Sequence, residues 1–390
     1  MTAIAGGTPQ AAARRQHPSA RSAPIGRRSG PFILLLVSVT FLSLLGLLMV
    51  LSASSISLLD EGHSAWRIFY KQLMWLLIGA AGMITMLRFD YHRLRPLAVP
   101  LLVLTMGLMV LVKAPVIGLT VNGASRWVGF GELRVQPSEL AKLFLILTAA
   151  DFCTRQSRCV TDERSTLRPV IVLYACVAAL LMIQPDFGTM LITSAIVAAT
   201  LFVAEIPMKW MAAYGIVGLS LAGLLAASAD YRRARFFSVS DPWSDELDGG
   251  YQVLQGLTAV ANGGTTGMGL GAGRGKWGYL PFADSDFIFA VVAEELGFIG
   301  GCLVLCTLLF IGVLALIIAL RAVDRFGRMI AAGIGSWILL QTFVNVGGVL
   351  NVLPVTGTPL PFVSYGGTSL IIMMISVGIL LNIARQARRV

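Results

Sequence analysis

Ten apolar segments, each near the length that crosses a bilayer, dominate the sequence. A spanning helix needs about 20 mostly apolar residues. Hydrophobic residues make up 56% of the 390 residues and charged residues only 13%, too few to cover the surface of a soluble protein. The segments lie at about 32–54, 70–87, 97–112, 138–152, 168–183, 187–204, 208–228, 286–320, 329–350 and 367–384. We therefore predict an all-α polytopic membrane protein with about ten transmembrane helices.

Short basic tails are expected to flank a single membrane domain. Residues 1–30 contain five arginines, no acid and many small residues, which predicts a disordered basic cytoplasmic tail. The apolar run that follows is too long for a cleaved signal peptide and predicts an anchored first helix. The ten-helix domain should cover 31–384, with a large extracytoplasmic loop at 229–286 between helices 7 and 8. A second short basic cytoplasmic tail is expected at 385–390.

The distribution of charge predicts the orientation. With both termini inside, most of the 30 basic residues fall in inner segments and most of the 20 acidic residues in outer ones. Because positive charge is retained on the cytoplasmic side, we predict an N-in, C-in topology. The outer side then receives the loops at 113–137, 184–189, 229–286 and 353–369. Since the polar motifs cluster in these loops, the function is expected at the outer leaflet.

Carboxylates at the start of the eighth apolar segment are the first candidates for chemistry. Asp286 stands where the large polar loop becomes a membrane helix, and Glu294 and Glu295 follow within that helix. Ionisable residues inside a spanning helix are functional candidates, and a partly desolvated carboxylate is a better proton acceptor near neutrality. The alternative is a helix N-cap, a role that Asp284 or Ser285 could also fill.

Cations on the outer face are the second candidates. Arg126, Arg134 and Lys142 lie beside Trp127 in the segment 122–142. Their presence opposes the positive-inside tendency and so suggests an anionic ligand, because the planar guanidinium group suits phosphate. Surface salt bridging is the alternative. The letters PSEL at 137–140 predict a helix start.

Two further outer-face motifs are ambiguous. Asp186, in QPDFGT at 184–189, is interpreted as a turn or cap residue or as a substrate contact. The letters GRGKWG at 273–278 match a dinucleotide-binding pattern, but they follow no predicted strand and face outwards, so we reject that function. The glycines at 263–278 are expected to allow tight turns against a ligand or a neighbouring loop.

Taken in order, the motifs resemble the SEDS family (shape, elongation, division and sporulation) over nearly the whole chain after the basic tail. They are NGASRW and QPSELAK (122–142), QPDFGT (184–189), GYQVLQ (250–255), DFIFAVVAEELGF (286–298) and LPVTGTPLPFVSYGGTSL (353–370). The chain departs from the family pattern at Phe282 and Asp284, where the family commonly has an acid and a histidine.

The resemblance implies a ten-helix peptidoglycan glycosyltransferase that polymerises lipid II at the outer leaflet. The family's catalytic aspartate maps to Asp286. We predict that Asp286 takes the proton from the 4-hydroxyl of the acceptor sugar, and that inversion gives a β-1,4 bond. Basic side chains, with or without a divalent cation (Mg or Mn), would stabilise the developing pyrophosphate charge. No residue is assigned as a metal ligand. The expected substrate-binding residues are Arg126, Trp127, Arg134, Gln136, Ser138, Glu139, Lys142, Asp186, Lys276, Glu294, Glu295 and Tyr365.

The resemblance also implies partners and a location. They are a class B penicillin-binding protein, other divisome membrane proteins and the lipid II substrate, with no nucleic acid, in the bacterial cytoplasmic membrane at the septum. We favour the division branch of the family, with the elongation branch as the alternative. A lipid II flippase is the rival from another class, and a non-catalytic division scaffold is a third.

Overall fold

The computed structural model describes residues 30–114, 118–121, 124–130, 133–155, 166–228, 233, 239, 241–245 and 250–387. The predicted disordered tail before Gly30 lies outside these residues, as do 388–390 of the predicted C-terminal tail and parts of the large loop.

Within the described residues, helices dominate, and all but one of them correspond to a predicted apolar segment. They are α1 (Gly30–Asp60), α2 (Arg67–Arg88), α3 (Ala98–Leu111), α4 (Pro137–Arg155), α5 (Arg168–Ile183), α6 (Phe187–Val203), α7 (Met208–Ala227), α8 (Tyr251–Gly263), α9 (Ile288–Arg321), α10 (Arg325–Val349) and α11 (Gly367–Gln386). The exception is α8, which lies in the large loop.

The helices confirm the predicted fold class. Six of them (α1, α2, α7, α9, α10 and α11) are long and apolar enough to cross a membrane, and α3, α5 and α6 are shorter apolar helices. The start of α4 at Pro137, with Glu139 in its first turn, follows the PSEL prediction. The helix α7 contributes no buried residue and lies at the edge of the bundle.

A small antiparallel sheet, which was not predicted, precedes α4. Its strands are β1 (Gly118–Val121), β2 (Ala124–Phe130) and β3 (Leu133–Val135), in the order β1-β2-β3. Trp127 pairs with Leu119 across the first pair of strands. The sequence did carry a signal, because Asn-Gly between two short strand-like runs is typical of a hairpin, and Asn122-Gly123 stand between β1 and β2.

The loops that charge assigns to the cytoplasmic side meet at one end of the bundle. Arg95, between α2 and α3, pairs with the buried Asp151 near the end of α4 at 2.8 Å. Tyr91 donates a hydrogen bond to Asp324 at the start of α10. Asn382 of α11 donates to a backbone carbonyl at the end of α2. The predicted outer motifs gather at the opposite end, as described next, which agrees with the predicted partition into two faces.

Candidate active site

One irregular segment joins the outer ends of the helices. Residues 353–366, between α10 and α11, are here called the strap. Three buried amide side chains donate to its backbone carbonyls: Gln72 to Ser364 (3.2 Å), Gln341 to Pro359 (2.8 Å) and Asn345 to Thr358 (2.7 Å). Buried carbonyls need such donors when no regular ladder satisfies them. The amides therefore fix the position of the strap.

Asp286 lies against the strap, just before α9. Its backbone carbonyl accepts a hydrogen bond from Asn345 Nδ2 at 2.8 Å. Gly357 has a left-handed φ of +73°, and a Cβ built there would lie 3.5 Å from Asp286 Oδ2. The two residues line a cleft of about 10 Å³ together with Asn345, Thr356 and Thr358. The N-cap position of α9 is Phe287, so Asp286 lies one residue outside the helix start.

The chain before Asp286 is bonded to the far end of the strap. Tyr365 N donates to the Asp284 carbonyl at 2.9 Å, and the Ser364 hydroxyl donates to the Ser285 carbonyl at 2.6 Å. Desolvation by burial raises the pKa of Asp284 above its ordinary value. Tyr365, predicted to bind substrate, thus contributes a backbone contact that positions the 284–286 segment.

Arg126, on β2, is bonded to the turn before α6. Its guanidinium donates to the Gln184 carbonyl at 3.3 Å and to the Pro185 carbonyl, and lies 3.7 Å from Asp186 Oδ1. Asp186 caps α6 by accepting from Thr189 N at 3.3 Å. Both the salt-bridge interpretation of Arg126 and the cap interpretation of Asp186 are therefore confirmed. Because 27% of the Arg126 side chain is exposed, its guanidinium can also contact an anionic ligand.

The turn at 184–189 also contacts the strap. A Cβ at Gly188 would lie only 2.7 Å from the Thr356 carbonyl oxygen, so this approach requires glycine. Thr356 precedes Gly357, which borders the Asp286 carboxylate. The strap thus connects the Arg126 contacts to Asp286.

Lys142 and Glu139 lie inside the bundle. Lys142 is fully buried, pairs with Glu139 at 2.7 Å and donates to Gln341 Oε1 at 3.0 Å. Its ammonium also lies 5.0 Å from the centre of the Trp337 ring. Because Gln341 in turn donates to the strap, Lys142 orients one of the amides that hold the site. Ser138, next to Glu139, is buried as well.

Arg134 is exposed at this end of the bundle. Its side chain is solvent-exposed on β3, while its carbonyl accepts from Thr368 Oγ1 at 3.1 Å. The same hydroxyl accepts from Gln136 N at 3.2 Å. These bonds attach the end of the sheet to the start of α11. The side chain of Trp127, on β2, is half-buried.

Lys276, Glu294 and Glu295 form a second cluster between α1, α9 and the glycine-rich loop at 264–278. Lys276 Nζ donates to Glu295 Oε1 (3.1 Å), to Ser52 Oγ (3.1 Å) and to the Gly271 carbonyl (2.5 Å). Glu294 accepts from the backbone of the loop, at Arg274 N (2.9 Å) and Gly275 N (3.1 Å). All three side chains are buried. The GRGKWG segment therefore wraps the protein's own carboxylates.

A break in α9 completes this second cluster. Gly297 has a φ of +69° inside the helix, and the carbonyls of Glu294 and Glu295 accept instead from Met268 N and Gly269 N, each at 3.0 Å. The expectation that the loop glycines turn tightly against a neighbouring segment is confirmed.

Within the described ranges, no three His, Cys, Asp or Glu side chains come together as a metal site. The oxygen atoms that could contribute to a divalent cation are the Asp286 carboxylate and the buried Oδ1 of Asn345. Two such donors fit a magnesium-type ion only if substrate phosphates supply further ligands, which is its usual manner of binding.

Comparison with known proteins gives the family. The profile of the FtsW, RodA and SpoVE proteins, described as "cell cycle protein", matches residues 32–389. The chain belongs to the SEDS family.

SEDS proteins of different named roles are about equally similar to the chain. Stage V sporulation protein E of Bacillus subtilis is 39% identical over 364 residues, which cover 93% of this chain and 99% of that protein. The probable peptidoglycan glycosyltransferase FtsW of Geobacter metallireducens is 38% identical over 91% of this chain and 95% of its own length. The chain is therefore a multi-pass bacterial membrane protein.

A solved SEDS-like structure agrees with the fold. A chain from the study "Structural coordination of polymerization and crosslinking by a peptidoglycan synthase complex" superposes with a TM-score of 0.72 at 30% identity. The match covers 90% of this chain and 97% of that one.

Sequence reasoning missed the amides that organise the site. Gln72, Gln341 and Asn345 are uncharged polar residues within apolar helices. The principle that intramembrane polar residues have specific roles was applied only to charged ones. Applied to amides, it would have singled out these residues.

Proposed function

We propose that the protein is a peptidoglycan glycosyltransferase that polymerises lipid II into β-1,4-linked glycan strands at the outer leaflet. The observation that carries the proposal is the Asp286 carboxylate, which borders a cleft at the outer end of the bundle and is held there by the strap. Similarity to an FtsW protein named as a probable peptidoglycan glycosyltransferase, and to a chain of a peptidoglycan synthase complex, supports the same activity.

The proposed reaction needs one base and a stabilised leaving group. The 4-hydroxyl oxygen of the acceptor sugar attacks C1 of the donor sugar and its proton passes to Asp286. The bond from C1 to the pyrophosphate oxygen breaks, and the polyprenyl pyrophosphate leaves with the electron pair. Attack opposite the leaving group inverts the α-linked donor to a β product. The exposed Arg134 and the exposed part of Arg126 are the cations that stabilise the pyrophosphate.

A divalent cation fits this scheme as a ligand shared with the substrate. When bound, magnesium or manganese would neutralise negative charge on the pyrophosphate. Asp286, which lines the cleft, is the carboxylate that would bind such a cation.

The remaining predicted binding residues divide by their surroundings. Lys142 and Glu139, like Lys276 and Glu295, are buried pairs. A flippase needs polar side chains that line a path across the bilayer. Because these charges are paired with each other instead, they favour the polymerase over the flippase.

Within the family we propose the division role. The chain would then act at the septum with a class B penicillin-binding protein and other divisome membrane proteins. The similarity to an FtsW protein supports this assignment, and the similarity to a sporulation protein makes the distinction one for experiment. Depleting the protein should produce filaments if it serves division and rounded cells if it serves elongation.

The central test uses purified protein with its cognate penicillin-binding protein and labelled lipid II, with glycan strands resolved on a gel. Wild type should give polymer and Asp286→Asn none. Asp284→Asn, two residues away, is the matched control and should retain polymerisation. Equal polymer from wild type and Asp286→Asn would exclude Asp286 as the base. Transport of lipid II by liposomes containing a protein that makes no polymer would favour the flippase.

A further inference from the structure

Asn345 contacts both the strap and the segment that carries Asp286. Its Nδ2 donates to the Asp286 carbonyl at 2.8 Å and to the Thr358 carbonyl at 2.7 Å. Both neighbours are acceptors only, so the side-chain nitrogen has to face them. The orientation of the amide is therefore fixed, and Oδ1 points away from the two carbonyls.

The oxygen of the same amide is the unusual atom. Asn345 is only 5% exposed, and its Oδ1 accepts no hydrogen bond from the described residues. Leaving a buried acceptor unsatisfied costs about 1–3 kcal/mol, and such groups in proteins are rare. Asn345 also lines the cleft of about 10 Å³ that Asp286 borders. That volume fits about one water molecule or hydroxyl group.

We propose that Asn345 is a positioning residue for Asp286. Its nitrogen fixes the backbone of Asp286 to the strap. Its oxygen accepts a hydrogen bond from a water molecule in the cleft, whose second proton is donated to the Asp286 carboxylate. Asn345 thus sets both the place and the orientation of the carboxylate without itself taking part in bond formation. This inference rests on the proposed function.

Two substitutions separate positioning from packing. Asn345→Leu keeps a similar volume and removes both the donor and the acceptor. A displacement of about 1 Å in a reacting group costs on the order of 100-fold in rate, so kcat for lipid II polymerisation should fall by about that factor while KM changes little. Asn345→Asp keeps the volume and an oxygen acceptor but loses the nitrogen that donates to the Asp286 and Thr358 carbonyls, so kcat should fall as in Asn345→Leu.

Asn382→Leu is the matched control. Asn382 is also a fully buried asparagine that donates to a backbone carbonyl, that of Leu87 at 2.7 Å, but it lies at the opposite end of the bundle. Its loss should lower stability without changing the kcat of the folded protein.

Hydrogen exchange tests the contact without relying on activity. Two backbone hydrogen bonds lie close to the contact between Asn345 and the Asp286 carbonyl. The amide of Phe287 donates to the Phe282 carbonyl, and the amide of Tyr365 donates to the Asp284 carbonyl. They should exchange at least several-fold faster in Asn345→Leu and at the wild-type rate in Asn382→Leu.

The outcomes are distinct. Loss of kcat with faster exchange supports the proposal. An unchanged kcat in the Asn345 variants, or a rise in KM alone, overturns it while leaving the proposed function intact. If wild type makes no polymer, the proposed function fails, and exchange alone then decides whether Asn345 positions the 284–287 segment.

Discussion

Replacing Lys276 alone should destabilise the protein more than neutralising Lys276 and Glu295 together. The two side chains are 3% and 0% exposed, and their charged atoms lie 3.1 Å apart. Taking one partner from a buried pair leaves an uncompensated charge, at a cost of about 3–5 kcal/mol. In Lys276→Met, Glu295 keeps its contacts with Ser52 (2.6 Å) and Gly271 N (3.0 Å), which places the loss near the lower end, at about 3 kcal/mol.

The double variant Lys276→Met/Glu295→Gln has no buried charge in this pair. Its glutamine can still accept from Ser52 and Gly271, so the expected loss is only about 1 kcal/mol. At about 2 °C per kcal/mol for a large chain, the apparent melting temperature should fall by about 6 °C in Lys276→Met and about 2 °C in the double variant. A double-mutant cycle measures the coupling between the two side chains. It compares the thermal unfolding, in one detergent, of wild type, Lys276→Met, Glu295→Gln and the double variant.

The same four proteins decide between a structural role and substrate binding. If the cluster holds the glycine-rich loop, the double variant should polymerise lipid II at close to the wild-type rate. If Lys276 and Glu295 bind substrate, as the sequence predicted, the double variant should be stable and inactive. A double variant that melts at or below the temperature of Lys276→Met would refute the argument from the buried charge.

Four other substitutions give separate tests. Arg134→Gln should reduce polymerisation but leave the melting temperature within about 1 °C of wild type, because surface changes usually cost less than 0.5 kcal/mol. Arg126→Lys should reduce both the polymerisation rate and the melting temperature. Gly357→Ala forces a methyl group onto a left-handed backbone 3.5 Å from Asp286 Oδ2, so it should cost about 1 kcal/mol or more and lower kcat; unchanged activity would argue against close contact there. Asp284→Asn should melt higher than wild type at neutral pH. Since burial raises the pKa of Asp284 from its ordinary 3.8, its ionisation opposes folding as pH rises through the folded-state pKa. The two melting temperatures should converge as the pH falls towards 3.8, and a constant difference across pH would contradict this assignment.

The membrane architecture follows from the sequence because hydrophobic length and the distribution of charge are local quantities. The ten apolar segments and the helix start at Pro137 could be read directly. The choice of Asp286 drew on both its place before a helix and the family resemblance, and the structure sets it beside the cleft.

The partners of each side chain could not be predicted in the same way. Lys276 and Glu295 are 19 residues apart in sequence, and Ser52 belongs to the first helix. Nothing local shows that these residues are satisfied by one another. Nothing local marks Asn345 either, because its role depends on the Asp286 carbonyl before α9 and the Thr358 carbonyl of the strap.

The way in which the strap is held has a consequence for variation among related proteins. Gln72, Gln341 and Asn345 bind its main-chain oxygens, and every amino acid has a main-chain oxygen. At positions other than Gly357 and Ser364, side chains of the strap can therefore be exchanged without loosening its attachment, whereas the three amides cannot be. Under the proposed function, a lineage can thus vary the side chains of the strap near the substrate while the scaffold stays constant. Laboratory libraries restricted to the side chains of the strap should likewise yield many folded proteins with altered substrate preference.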